Sequence, residues 1–137
     1  MFTLHLRDQR ERNLVKSIGL DLTEIARIEK DLRRFGDRFS RKILGPTELT
    51  LYKNRRDGLQ FLAGRFAAKE AVIKALGVYL ADRPALPEIQ IINDVSGQPQ
   101  LQLSERVLKK MPDHRSLISI THDKHYAAAM AVFEEDR

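Results

Sequence analysis

Cysteine is absent from the chain, and so is tryptophan. The first absence removes disulfide scaffolds, zinc–thiolate sites and thiol nucleophiles together, and it leaves any metal to oxygen or imidazole ligands; it is also what a reducing cytosol permits. Aromatic residues make up only 7% of the 137 residues, too few for the interleaved stacking platform of a single-strand nucleic-acid binder. Long hydrophobic runs are missing too. The longest, Tyr126 to Phe133, is Ala-rich and falls well short of the about 20 residues needed to cross a bilayer. The start of the chain carries charges where a secretory signal would need an apolar stretch, so the expectation is a cytoplasmic protein without a membrane span. Fixed-period repeats and low-complexity tracts are absent, which argues against solenoids and linker-joined modules.

What the chain does have is charge. Lys and Arg number 24 against 19 Asp and Glu, a formal net charge of +5, which favours polyanionic partners: nucleic acid, nucleotides or an acidic protein. With 42% hydrophobic residues the composition suits one modest core. Residues 1–14 read as a charged N-terminal extension, expected to be disordered or a local elaboration, and 15–137 as a single domain.

The apolar run Val15 to Leu22 predicts a strand ending at Asp21, with Thr23 as N-cap of the next helix. In that helix Ile25, Ile28, Leu32 and Phe35 share one stripe, Arg27 and Arg34 another, and Gly36 closes it. Two short helical pieces flank the Gly45-Pro46 break. A long helix then runs from Phe61 to Leu76, followed by a loop over Val78 to Pro87. The last third changes period. Glu88 to Asn93 and Gln100 to Leu103 read as strands around Ser96-Gly97-Gln98-Pro99, Ser104 caps a short helix, and Ser116 to Thr121 and His125 to Phe133 form a hairpin. Early helices and late strands favour an α+β fold.

The long helix is apolar or small on every side, as in a buried helix, yet it carries Arg65, Lys69, Glu70 and Lys74. Either Glu70 pairs with Lys74 one turn on while Arg65 and Lys69 snorkel to the surface, or Glu70 holds a hard cation while the basic side chains face phosphate oxygens. The second arrangement needs another carboxylate. Asp21 is the candidate, its alternative role being an ordinary helix cap. His122 reads either as a turn residue or as a phosphate ligand at a strand end. Gly97 reads either as a turn residue needing positive φ or as a point of close backbone approach to a nucleotide.

The segment Ile18-Gly19-Leu20-Asp21-Leu22-Thr23-Glu24-Ile25, together with Phe61-Leu62-Ala63-Gly64-Arg65-Phe66-Ala67-Ala68-Lys69-Glu70-Ala71-Val72-Ile73-Lys74, resembles the two signatures of the holo-[acyl-carrier-protein] synthases. These are the bacterial 4′-phosphopantetheinyl transferases, and Ser119-Ile120-Thr121-His122 is similar to their third short block. The resemblance runs from about Val15 to Phe133 and implies that family's α+β fold: one strand, several helices, then an antiparallel sheet. It further implies a homotrimer with active sites between subunits. The implied activity is Mg²⁺-dependent transfer of 4′-phosphopantetheine from coenzyme A to a serine of apo acyl carrier protein, releasing adenosine 3′,5′-bisphosphate, for fatty acid biosynthesis.

On this resemblance Asp21 and Glu70 are Mg²⁺ ligands, and Lys74 is the catalytic cation at the phosphates. Glu70 through a water is one candidate proton acceptor. Arg65, Gly97 and His122 match coenzyme A-binding positions, while Arg27 and Arg34 match the basic stripe that receives the acidic carrier. The chain departs from the family in its extension, in Ser17 where Gly is common, and in Gln98 where Lys is frequent. Two rivals make different predictions. A nucleic-acid module built on Arg33, Arg34, Arg38, Arg41 and Lys42 leaves Asp21 and Glu70 unexplained, and a catalytically idle trimer predicts no Mg²⁺ dependence.

Overall fold

The computed structural model describes residues 13–136, so the predicted extension lies outside the described residues apart from Asn13 and Leu14, which open the first strand. Strand β1 (Asn13–Glu24) alternates from Ser17 onward, after its pairing shifts register between Val15 and Ser17. Ile18, Leu20 and Leu22 are exposed on one face while Gly19 and Thr23 are buried on the other, with Asp21 between them half-buried. β1 pairs antiparallel with β5 (Tyr126–Asp136), which pairs on its far side with β4 (Arg115–His122), giving the order β1-β5-β4. The first strand thus joins the last two, as an α+β sheet whose edges come from opposite ends of the chain.

Between them lie α1 (Ile25–Phe35), α2 (Asp37–Ile43), α3 (Pro46–Lys53) and α4 (Gly58–Leu76). A two-stranded sheet of β2 (Ile89–Asn93) and β3 (Pro99–Leu103) and the short α5 (Glu105–Leu108) follow. Helix α4 lies across the inner face of the three-stranded sheet, burying Leu62, Ala67, Ala71, Val72 and Ala75 against Ala129, Ala131 and Phe133. Small residues on both surfaces bring them close. A Cβ built on Gly19 would fall 1.7 Å from the carbonyl oxygen of Ala71, so only glycine permits this crossing.

The predicted cap at Thr23 does not form. The strand continues to Glu24, and the first helical amide, Ile25 N–H, donates to the carbonyl of His125 at 2.9 Å. Pairing with β5 therefore extends β1 past the point where local propensity would end it, and the Thr23 hydroxyl is left to donate to Asp21 Oδ2 at 2.7 Å. Asp21 is accordingly no helix cap. The predicted apolar stripe of α1 also fades along its length: Ile25 and Ile28 are buried, Leu32 is half-buried, and Phe35 is 45% exposed. Gly36, at φ 58°, closes α1 as expected.

The loop after α4 ends in a 3₁₀ turn, Leu86–Glu88, anchored by one carboxylate. Glu88 accepts from the Ala85 amide, the Ser104 hydroxyl and both arms of the Arg106 guanidinium. Arg106 first, then these other donors, hold its pKa down to about 2. A carboxylate depressed on folding stabilises the fold above its unfolded pKa near 4.5 and loses that contribution as pH falls through 2. Arg106→Ala is expected to cost about 1 kcal/mol at pH 7, because the pair is half solvated, and distinctly less near pH 2, where Glu88 is partly protonated in the fold. Urea unfolding at the two pH values checks this.

Candidate active site

The charges of α4 are resolved by a residue outside it. Lys69 is fully buried, and its ammonium donates to Glu48, to the Ile43 carbonyl and to the Leu86 carbonyl at 3.2 Å. Glu48, equally buried, also accepts from the Gly45 amide at 2.9 Å and the Ile91 amide at 3.0 Å. Arg65 joins them, 4.0 Å from Glu48, donating to the Ile91 carbonyl at 3.0 Å and lying over the Phe61 ring. Burial pulls the Lys69 and Arg65 pKa values below their ordinary levels, and Glu48 opposes the fall. Neither side chain snorkels, contrary to the simpler of the two expectations. One buried carboxylate, shared by both cations and two backbone amides, makes their burial tolerable.

The predicted Glu70–Lys74 pair is absent as well. Lys74 reaches across to β1, donating to the Leu20 carbonyl at 2.8 Å and lying 3.3 Å from Asp21 Oδ1. Glu70 instead accepts from Arg83 at 2.7 Å. The crossing at Gly19 explains the first contact: residues two apart on a strand share a face, so a backbone pressed on α4 at Gly19 delivers Asp21 to the next turn of the helix.

Asp21 and Glu70 line one open pocket of about 540 Å³ together with a third carboxylate, Glu24, and with Leu22, Thr23, Arg27, Phe66, Arg83 and Tyr126. Two carboxylates are a hard-oxygen donor set, and Mg²⁺ takes that many from protein when phosphate oxygens and waters supply the rest. Among the described residues no group of three or more His, Cys, Asp or Glu could hold a metal, so Glu24 does not join Asp21 and Glu70 as a third ligand, and the two stay a candidate pair. The cation Lys74 beside them and the width of the pocket suit a phosphate-bearing substrate.

Other predicted residues lie elsewhere. Arg65 is inside the Glu48 network and not on the pocket wall. His122 is exposed at the end of β4, away from the pocket that Asp21 and Glu70 line. Gly97 sits at φ 89° in the β2–β3 turn, with Asp94 accepting from the Ser96 and Gln98 amides; nothing lies within 4 Å of a Cβ built there. Arg27 reaches the pocket, whereas Arg34 lies over the Phe35 ring on the exposed face of α1. Beside it a second cleft, about 280 Å³, is lined by Asp31, Phe35, Arg38, Phe39 and Lys42.

Sequence reasoning missed Arg83 and Glu48. Arg83 comes from an irregular loop with no pattern to flag it. Glu48 carried a usable signal, Pro46 at the first helical position and an acid two residues on, which marks a helix start whose carboxylate turns back to the Gly45 amide.

Comparison with known proteins sharpens the assignment. A family model described as the 4′-phosphopantetheinyl transferase superfamily matches residues 17–131. A holo-[acyl-carrier-protein] synthase of Chlorobaculum tepidum is 44% identical over 117 residues, covering 85% of this chain and 97% of the relative. One of Shewanella frigidimarina is 40% identical over 123 residues, covering 88% and 98%. The crystal structure of the Neisseria meningitidis holo-[acyl-carrier-protein] synthase superposes with a TM-score of 0.81 at 29% identity, over 89% of this chain and all (100%) of that one. The Bacillus anthracis enzyme, solved in complex with CoA (3′,5′-ADP), gives 0.74 at 35% identity over 89% and 98%. The Gly19–Asp21 strand crossing the Lys69-Glu70 helix is thus embedded in a match that spans nearly the whole domain, and the chain belongs to the 4′-phosphopantetheinyl transferase superfamily.

Proposed function

We propose that the chain transfers 4′-phosphopantetheine from coenzyme A to a serine of apo acyl carrier protein, in an Mg²⁺-dependent reaction that releases adenosine 3′,5′-bisphosphate and serves fatty acid biosynthesis. The observation that carries this reading is that Asp21 of β1 and Glu70 of α4 line one pocket, with the Lys74 ammonium 3.3 Å from the Asp21 carboxylate. Relatives of similar length are named for this activity, and one is solved with the coenzyme.

Asp21 and Glu70 would hold Mg²⁺, which when bound neutralises charge on the pyrophosphate oxygens. The carrier serine oxygen attacks the β-phosphorus of coenzyme A; its bond to phosphorus forms as the bond to the bridging oxygen breaks, and that oxygen leaves with adenosine 3′,5′-bisphosphate. Lys74, poised at the Leu20 carbonyl with a side chain 55% exposed, can turn its ammonium to the oxygens that gain charge. Glu70, acting through a water, is the proposed acceptor of the serine proton.

Two further features support the assembled form. Ile18, Leu20 and Leu22, at 60%, 64% and 66% exposure, continue across β5 and β4 through Met130 and Leu117 as one apolar sheet face. Such a face is characteristic of an interface, and we assign it to the homotrimer. Gly97 and His122 are exposed but do not line the pocket of their own chain, and their coenzyme A contacts are proposed to complete a site between subunits; Arg65, buried beside Glu48, is proposed to meet it through the partly buried edge of its guanidinium that donates to Asn93.

The carrier is proposed to dock on α1. Arg27 and Arg34 face outward there, and Arg38 and Lys42 flank the cleft that Phe35 and Phe39 line, an apolar notch with a basic rim suited to an acidic helix. The test is mass spectrometry of apo acyl carrier protein incubated with the chain, coenzyme A and Mg²⁺. An added phosphopantetheine is expected, and its absence overturns the reading. Arg34→Glu with Arg38→Glu, both away from the pocket, should raise KM for the carrier about tenfold and leave KM for coenzyme A unchanged. Equal loss for both substrates would remove α1 from the dock.

A further inference from the structure

The pocket contains a cation that the chemistry above does not use. Arg83 lines it and donates through Nη2 to Glu70 Oε1 at 2.7 Å. The backbone on its C-terminal side is secured: Pro84 is buried, and the Ala85 amide is held by Glu88, which Arg106 and Ser104 clamp in turn. The head group is not secured in the same way. The Arg83 side chain is 61% exposed, that of Glu70 only 18%. Arg83 is therefore a guanidinium on an anchored stem, able to change partner by side-chain rotation alone.

The same carboxylate is asked to do something else. Glu70 is proposed above to take a divalent cation, which would repel Arg83 at close range, while a pyrophosphate entering the pocket brings oxygens that a planar guanidinium accepts two at a time. We propose that Arg83 is a substrate-binding residue for the pyrophosphate oxygens of coenzyme A, and that its pairing with Glu70 is a resting position surrendered to the metal. This inference rests on the reading of Asp21 and Glu70 as metal ligands. It makes Arg83 an antagonist of metal binding in the absence of substrate and a contributor to coenzyme A binding in its presence. A merely structural ion pair would do neither.

The test measures binding to the full chain, with Mn²⁺ as the metal probe followed by electron paramagnetic resonance, and with coenzyme A followed by calorimetry. Arg83→Ala should bind Mn²⁺ about threefold more tightly without coenzyme A, the size of an exposed ion pair released. It should bind coenzyme A about tenfold more weakly with Mn²⁺ present, as removal of one charge-assisted hydrogen bond to phosphate predicts. Arg83→Lys should restore the Mn²⁺ antagonism and part of the coenzyme A affinity. Unchanged coenzyme A affinity in Arg83→Ala overturns the phosphate contact, and unchanged Mn²⁺ affinity overturns the exchange at Glu70. If the unsubstituted chain binds no Mn²⁺ even with coenzyme A, or if Glu70→Gln binds it as well as the parent, the metal reading itself fails and takes this one with it.

Discussion

Asp21→Ala and Glu70→Ala should each lower the rate of transfer by about a thousandfold or more, as expected when roughly 4 kcal/mol of charge stabilisation is withdrawn from a phosphoryl transfer. The fold should survive. The cations paired with Asp21 and Glu70, Lys74 and Arg83, have side chains 55% and 61% exposed and return to water when the carboxylate is lost, so each substitution should cost at most about 1 kcal/mol. Lys74→Ala should also lose rate rather than coenzyme A affinity, because its ammonium meets oxygens whose charge is redistributed as the bond breaks. Single-turnover transfer measured over a range of Mg²⁺ concentrations, with thermal unfolding alongside, separates these effects. Near-normal Mg²⁺-dependent rates in both carboxylate variants would remove the metal assignment.

The largest stability effect belongs to Lys69→Met. It removes the ammonium that faces the buried Glu48 and should cost about 3–5 kcal/mol, as breaking one side of a buried pair does. That is a large share of the roughly 5–15 kcal/mol by which a domain is ordinarily stable. Because Glu48 also secures the amides of Gly45 and Ile91, the substitution should loosen the start of α3 and strand β2 before the three-stranded sheet. Denaturant unfolding gives the total, and amide exchange at Gly45 and Ile91 gives the place. A destabilisation below about 1 kcal/mol would mean that Glu48 is adequately held by backbone amides alone.

These two outcomes mark what could be read in advance. The helix expected from Phe61 to Leu76, which begins at Gly58 in the structure, was legible because Gly64 is its one internal breaker and it has apolar or small residues on every side, and the α+β order followed from the change of period after Pro87. Asp21 and Glu70 stood as one candidate pair among the readings the residues left open, and only the family resemblance chose it over a helix cap and a Glu70–Lys74 pair. The partner of Glu70, Arg83, was not legible, nor was Glu48 as the partner of Lys69, since tertiary packing chooses such partners with no fixed spacing to announce them. The N-cap at Thr23 failed for the same reason: pairing with β5, from the other end of the chain, decided where β1 stops. Local chemistry proposes such boundaries, and distant hydrogen bonds overrule them.

Strand β1 carries two unrelated duties on its two sides. Gly19 and Asp21 press toward α4, and Leu20 between them points to the apolar outer face. Deleting the single codon for Leu20 would leave every chemical group of the pocket in the protein, yet it would make Gly19 and Asp21 adjacent and so force them to opposite sides of the sheet. Either α4 would lose its seat or the carboxylate would turn away from Glu70, with the outer face broken in the same stroke. Substitutions along this strand can be absorbed one side at a time, but changes of length cannot, so natural variation in its length is expected to fall before Ser17 and not between Gly19 and Thr23.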